Sequence, residues 1–213
     1  MPPEAVILAF DTSAAHCAAA LLCGGRIVAA RDEAMATGQA ERLVAMLEEL
    51  LAEAGLAWRD VSRIGVGTGP GNFTGVRIAV AAARGLALGL GVPAVGVTRL
   101  EALAFGLPGP VAVVEDARRG EIYLLAGNGP ARLTTVEGCG LGPVDLVGSA
   151  AEAVAAVTGG AVRTPAMPLC EAIARIATER APGARPAPFY LRGADAAPPA
   201  DPPPVILPDP VSP

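Results

Sequence analysis

The run Gly67-Thr-Gly-Pro-Gly-Asn-Phe-Thr-Gly-Val-Arg77 constrains this chain more than any other segment. A short apolar strand at residues 64–67 leads into it, a long apolar stretch of helical character from about residue 74 to 90 leaves it, and a further strand follows at 94–97. Glycine is required where the backbone turns left-handed or where another segment passes close, so the run predicts a tight strand-to-helix turn. A helix N-terminus also offers unpaired N–H groups that suit an anion. A phosphate-loop reading through Gly69 and Gly71 therefore stands beside the packing one. The run is not a Walker A loop, which ends in Gly-Lys-Ser/Thr, and it lacks the acidic ribose ligand that follows G-x-G-x-x-G in dinucleotide sites.

The rest of the chain organises around that turn. Residues 6–10 read as an apolar strand, Asp11, Thr12 and Ser13 as a turn, and the runs 17–23 and 26–30 as strands joined by a Gly24-Gly25 hairpin. Between residues 39 and 54 the apolar positions Leu43, Met46, Leu47, Leu50, Leu51 and Ala54 recur at helical spacing, and Gly55 stands where a helix stops. Three strands followed by helix, strand, helix and strand predict an α/β fold with a mixed sheet. A second, shorter lobe begins near residues 111–115, turns through Arg119 and Gly120, and continues in a strand at 122–125 and a helix at 171–180. The expected division is a first lobe at 1–104, a shortened second lobe at 105–193, and a Pro-rich, disordered tail at 194–213.

Composition narrows the function classes. All 16 basic side chains are Arg, which removes Walker-type phosphate lysines and Schiff-base lysines. A net charge of -5 argues against a surface that binds nucleic acid by itself, since that affinity rests on clustered cations. The apolar stretch at 74–92 contains Arg77 and Arg84, each costing about 2.5 to 3.5 kcal/mol inside a bilayer, so a buried helix is expected and no membrane span. MPPEAVILAF has no basic lead-in and meets Asp11 early, so a secretory signal is not expected and the cytoplasm is the expected compartment. Cys17, Cys23, Cys139 and Cys170 show no metal-ligand or C-x-x-C spacing and read as reduced packing thiols. His16 is the single histidine and reads as a polar surface residue, so no Ser-His-Asp or Cys-His set is expected. Arg118, Arg119 and Glu121 near Tyr123 read as solvated charge that a partner's acidic surface or RNA could also meet.

Four blocks carry a family resemblance: Ile7-Leu-Ala-Phe-Asp-Thr-Ser13, Gly69-Pro-Gly-Asn-Phe-Thr-Gly-Val-Arg77, Asp116-Ala-Arg-Arg-Gly-Glu-Ile-Tyr123 and Pro188-Phe-Tyr-Leu-Arg192. In order and content they resemble the signature blocks of the TsaB (YeaZ-like) family, with Asn72 where Ser is usual. The resemblance implies an actin-like ATPase (ribonuclease H-like) fold with a complete first lobe and a shortened second one. It implies a non-catalytic subunit of the machinery that makes N6-threonylcarbamoyladenosine in tRNA. The implied partners are the paralogous catalytic subunit TsaD and the ATPase TsaE, with tRNA met only through the complex, a homodimer left open for the free chain, and no cofactor held by the chain alone. Asp11 occupies the place where actin-like ATPases keep a phosphate-side carboxylate. It is therefore a vestigial nucleotide-site candidate beside its reading as a turn carboxylate. The alternative function is an active metal- or ATP-dependent enzyme of the same superfamily, as in the older glycoprotease reading.

The partner surface is expected on two helices. Apart from Arg77 and Arg84, residues 76–90 are apolar or small around most of the helix, with Ala79, Ala82, Leu86 and Gly89 on one stripe and Val80, Ala83 and Ala87 on another, so one stripe should cover the sheet and the other, with Val76, should meet a second surface. Leu43, Met46 and Leu47 of the preceding helix are expected to flank that contact, as the resemblance implies for the bundle with TsaD.

Overall fold

The computed structural model describes residues 5–127 and 129–193, and the expected tail at 194–213 lies outside the described residues. The first sheet contains β1 (Val6–Asp11), β2 (His16–Cys23), β3 (Arg26–Ala34), β4 (Arg63–Gly67) and β5 (Ala94–Val97) in the order β3-β2-β1-β4-β5. β1 and β2 pair antiparallel with Phe10 opposite Ala19, while β1 and β4 run parallel with Phe10 opposite Val66. β1 is buried along its whole length because helices cover both faces of the sheet. Alternation then sorts its side chains. Leu8 and Phe10 join the core under α1 (Gln39–Glu53) and α2 (Phe73–Leu90), and Ile7 and Ala9 join the core under α5 (Leu169–Glu179).

The second sheet contains β6 (Val111–Asp116), β7 (Glu121–Ala126), β8 (Arg132–Thr135), β9 (Asp145–Val147) and β10 (Val162–Arg163) in the order β10-β9-β6-β7-β8. α4 (Ala151–Thr158) packs on one of its faces through Ala151 and Val154. Leu100 and Leu103 of α3 (Arg99–Ala104) meet Val113 and Val147 on the other face.

Residues 105–193 do not form a lobe by themselves. Although α5 comes late in the chain, Ile173 and Ala177 pack on the first sheet, and Arg63 Nη1 donates to the carbonyls of Ala177 (2.6 Å) and Arg180 (2.9 Å), closing the helix C-terminus. The reason is sheet coverage: the odd-numbered apolar side chains of β1 and the even-numbered ones of β2 need a second helical layer, and α5 supplies it. From Arg180 the chain runs back past β5, where the Arg180 guanidinium donates to Gly96 O (2.7 Å) and pairs with Glu101 (2.7 Å). It then reaches the second lobe, where Arg192 donates to Ala117 O (2.8 Å) and pairs with Glu121 (2.5 Å).

Candidate functional site

The glycine turn, the end of β1 and the β6–β7 turn face a cavity of about 850 Å³ between the two sheets, lined among others by Pro70, Phe73, Arg99, Glu115, Arg118 and Tyr123. The lining carboxylates are Glu115 and Asp116. Asp11, two residues before the lining residue Ser13, is fully buried and does not itself line the cavity. One oxygen, Oδ1, accepts from Ser13 N–H (3.0 Å), from the Ser13 hydroxyl (2.9 Å) and from His16 Nε2 (2.7 Å). The other, Oδ2, is buried without a protein donor and lies against Gly67, where a Cβ would overlap it. Burial by itself would push the Asp11 carboxyl up. The hydrogen bond and charge of His16, then Arg99 and the Ser13 N–H, outweigh burial and hold it below the ordinary carboxylate value.

Asp11 is thus a turn carboxylate, and His16 is its partner. The His16 side chain is only 14% exposed, so it is not the surface residue that its place in a short turn suggested. What the sequence concealed is that a buried carboxylate five residues away in the chain lies within hydrogen-bond reach of the ring.

The glycine turn is occupied by its own chain. Asn72 caps α2, its Oδ1 accepting from Thr74 N–H (3.0 Å) and Gly75 N–H (3.1 Å), so the first-turn donors that would hold a phosphate are in part already used. Asn72 N–H in turn donates to Ser13 O (2.6 Å), and Arg99 N–H donates to Gly69 O (2.7 Å). Gly69 is left-handed (φ 89°), and a Cβ on Gly71 would overlap the Ser13 carbonyl. These contacts favour the packing reading of Gly69 and Gly71.

Across the cavity, Arg99 Nε donates to Glu115 Oε2 (2.5 Å) and Glu115 Oε1 accepts from Ser149 N–H (2.7 Å), which ties α3 to the second sheet. Arg118 and Arg119 line the same space in left-handed backbone (φ 64° and 57°), an arrangement that costs non-glycine residues about 1 to 2 kcal/mol each. Glu121, expected as solvated charge, is paired with Arg192. No disulfide joins any of the four cysteines, all of which are among the described residues. Burial pushes the Cys17 thiol up to about 11, helped by Glu33, and pushes Cys170 well above its ordinary value, so both are packing thiols rather than nucleophiles.

The helix faces correct the expected partner surface. Leu43, Met46 and Leu47 of α1 are at most 1% exposed and lie in the core, as do Val76, Ala79, Val80 and Ala83 of α2. Ala82, Leu86 and Ala87 are half-buried at the margin of that core. Apart from Gly89, which is exposed, both stripes chosen from the sequence belong to one broad inward face. Outward instead are Ala81, Arg84, Gly85 and Leu88, the last 80% exposed; on α1, Val44 is 45% exposed. Spacing alone carried the signal, since Ala81, Arg84, Gly85 and Leu88 form the remaining stripe, but in a helix apolar on nearly all sides hydropathy does not say which stripe the sheet takes. At the start of α2, Phe73 stacks on Tyr190 with ring centroids 5.3 Å apart, and Arg77 lies 3.6 Å over the Phe73 ring while donating to the Tyr190 hydroxyl (2.9 Å).

Comparison with known proteins places this geometry in a family. Residues 33–194 match the family described as TsaD, tRNA N6-adenosine threonylcarbamoyltransferase. The chain is 38% identical over 122 residues to the tRNA threonylcarbamoyladenosine biosynthesis protein TsaB of Escherichia coli, a match covering 55% of this chain and 52% of that protein. It is 37% identical over 120 residues to TsaB of Bacillus subtilis, covering 55% and 52%. The chain thus spans about half the length of the curated relatives it matches. The structure of YeaZ from Pseudomonas aeruginosa superposes with a TM-score of 0.72 at 31% identity, covering 88% of this chain and 100% of that one. Component A of (R)-2-hydroxyglutaryl-CoA dehydratase from Acidaminococcus fermentans, at 12% identity and a TM-score of 0.52 with 82% and 97% covered, shares the fold alone.

Proposed function

From the premise that this chain belongs to the TsaB/YeaZ family of tRNA threonylcarbamoyladenosine biosynthesis proteins, we propose that it is a non-catalytic subunit that binds and supports the catalytic TsaD subunit. The observation that carries this reading is the internal commitment of the groups an actin-like ATPase would use: Asp11 is bonded to Ser13 and His16, and Asn72 caps the helix that follows the glycine turn. A carboxylate and a loop held in this way position a helix, and they leave little for a phosphate to displace without breaking the fold. The helix so positioned is α2, whose outward face of Ala81, Gly85 and Leu88 offers small and apolar side chains to a second helix.

TsaE joins the same assembly, tRNA is reached through TsaD, the isolated chain holds no cofactor, and the complex works in the cytoplasm. The test is co-expression with the cognate TsaD followed by size-exclusion chromatography, together with transfer assays on each subunit alone. A co-eluting complex in which only TsaD shows turnover supports the reading. Threonylcarbamoyl transfer, proteolysis or ATP hydrolysis by the isolated chain would overturn it.

A further inference from the structure

The β6–β7 turn carries two arginines where the backbone favours glycine. Residues 118 and 119 are left-handed (φ 64° and 57°), as is Gly120 after them (φ 76°), and such positions suit Gly or Asn. A side chain kept against a backbone cost points to a use for the side chain itself. For Arg118 that use is not internal: its N–H bonds Asp116, but its exposed guanidinium makes no hydrogen bond or ion pair with another described residue. Both arginines line the cavity of about 850 Å³ between the sheets, a size within the range of about 300 to 1,000 Å³ of built ligand sites. Arg99 and Arg192 line it as well, against the carboxylates of Glu115 and Asp116. The chain's net charge of -5 is therefore unevenly placed, with Glu41, Glu48 and Glu53 outward on α1 and an excess of cations in the cavity.

The uncharged part of the lining narrows the ligand. Among the described residues no Leu, Ile, Val or Met lines the cavity; its large uncharged side chains are Phe73, Pro70 and Tyr123, with Ser13, Asn72 and Ser149 as hydrogen-bonding groups. A protein segment is anchored by a desolvated apolar core, whereas a nucleobase needs a flat ring and polar groups at its edges. Phe73 offers that ring. It is 48% exposed although it begins a core helix, and Arg77 over its face and Tyr190 beside it hold its orientation, so little side-chain freedom is lost when a base stacks. Arg118 and Arg119 offer forked donors that match phosphate oxygens. We propose that this cavity takes a segment of single-stranded RNA, with a base stacked on Phe73 and the adjoining phosphates on Arg118 and Arg119. Two phosphates give a weak contact by themselves, and in the assembly proposed above it adds to the hold that TsaD has on tRNA. The inference goes beyond the partner reading and does not rest on it, because it concerns a site within one chain.

Fluorescence anisotropy of the isolated chain with a fluorescein-labelled, single-stranded oligoribonucleotide tests this. The expected result is saturable binding in low salt with a dissociation constant on the order of 10⁻⁴ M, and a slope of log affinity against log salt of about -1.4, or about -0.7 for each of two phosphates. Phe73→Ala should weaken binding at least about fivefold, and Phe73→Tyr should keep it. Arg118→Glu with Arg119→Glu should weaken it at least about tenfold. Arg118→Gly keeps the test valid if that double reversal does not fold: it should weaken binding at least about threefold with a melting temperature at or above the parent's, because glycine relieves the left-handed backbone. Absence of saturable binding in low salt overturns the proposal. Binding that Phe73→Ala leaves unchanged, or that an oligoglutamate peptide matches, also overturns it, because the arginines then serve an acidic protein surface. Adenosine monophosphate binding as tightly as the oligonucleotide overturns it too, because the cavity then takes a free nucleotide and not a strand.

Discussion

α1 and α2 lie side by side on the same face of the first sheet, and their inward faces are built alike. Leu43, Met46, Leu47, Leu50 and Leu51 of one and Val76, Ala79, Val80 and Ala83 of the other are buried against β1, β2 and β4 or the adjoining turn. Their outward faces differ. α1 presents Glu41, Glu48, Glu49 and Glu53, and Arg42 forks onto Glu33 (2.7 Å to both oxygens) while also reaching Glu49 (2.7 Å). Arg31 adds bonds to Glu49 and Glu53. α2 presents Ala81, Arg84, Gly85 and Leu88 with no acidic residue in its whole length. The first helix is completed by water and by its own ion pairs. The second leaves a face of small and apolar side chains around exposed Leu88, the face on which the proposed partner contact rests.

This contrast can be broken most severely from the inside. Ala83→Arg places an unpaired guanidinium at a fully buried position under the sheet and should destabilise the protein by more than about 4 kcal/mol, read as loss of the cooperative melting transition by circular dichroism. The outward substitution on the same helix, Leu88→Arg, should leave stability within about 0.5 kcal/mol while weakening TsaD binding by more than about a hundredfold, or roughly 2.7 kcal/mol. If Leu88→Arg melts the protein as Ala83→Arg does, the assignment of the two faces is wrong.

A smaller effect separates the turn beneath α2 from the surface of α1. Asp11 has a folded-state carboxyl below its unfolded value, so its contribution is present above about pH 4 and is lost as pH falls through the folded value. His16→Gln removes the charge and much of the hydrogen bonding that lowers it. The acid unfolding midpoint should therefore move to higher pH, and stability near neutrality should fall by about 1 to 2 kcal/mol. Arg42→Gln should do least: its partners are solvent-screened, so its melting temperature should match the parent protein in 0.5 M salt.

Much of the fold was legible because its signals are local. The strand at residues 6–10, the Gly24-Gly25 hairpin, the helix ending near Gly55 and the strand-turn-helix around the glycine run each depend on neighbours in sequence, and each appears close to its expected place. What stayed hidden depends on distant packing. That α5 returns to the first sheet follows from the uncovered sides of β1 and β2, which no spacing within residues 169–179 records. The same holds at the candidate site. Asp11 and the glycine turn were identifiable as residues, yet only the fold shows that Ser13 and His16 already bond Asp11 Oδ1 and that Asn72 already caps the helix after the turn. The outward stripe of α2 was written in the sequence as spacing. Its direction was not, because Ala, Gly, Val and Leu around a helix leave hydropathy no contrast from which to choose.

The central claim is that the outward face of α2 belongs to a partner and the groups beneath it belong to the fold. Sedimentation velocity of the chain mixed with cognate TsaD, run in parallel for the parent protein and Leu88→Arg, tests this most directly. The account predicts a heterodimer for the parent and two separate, folded species for Leu88→Arg. Equal heterodimer formation by both proteins would contradict it.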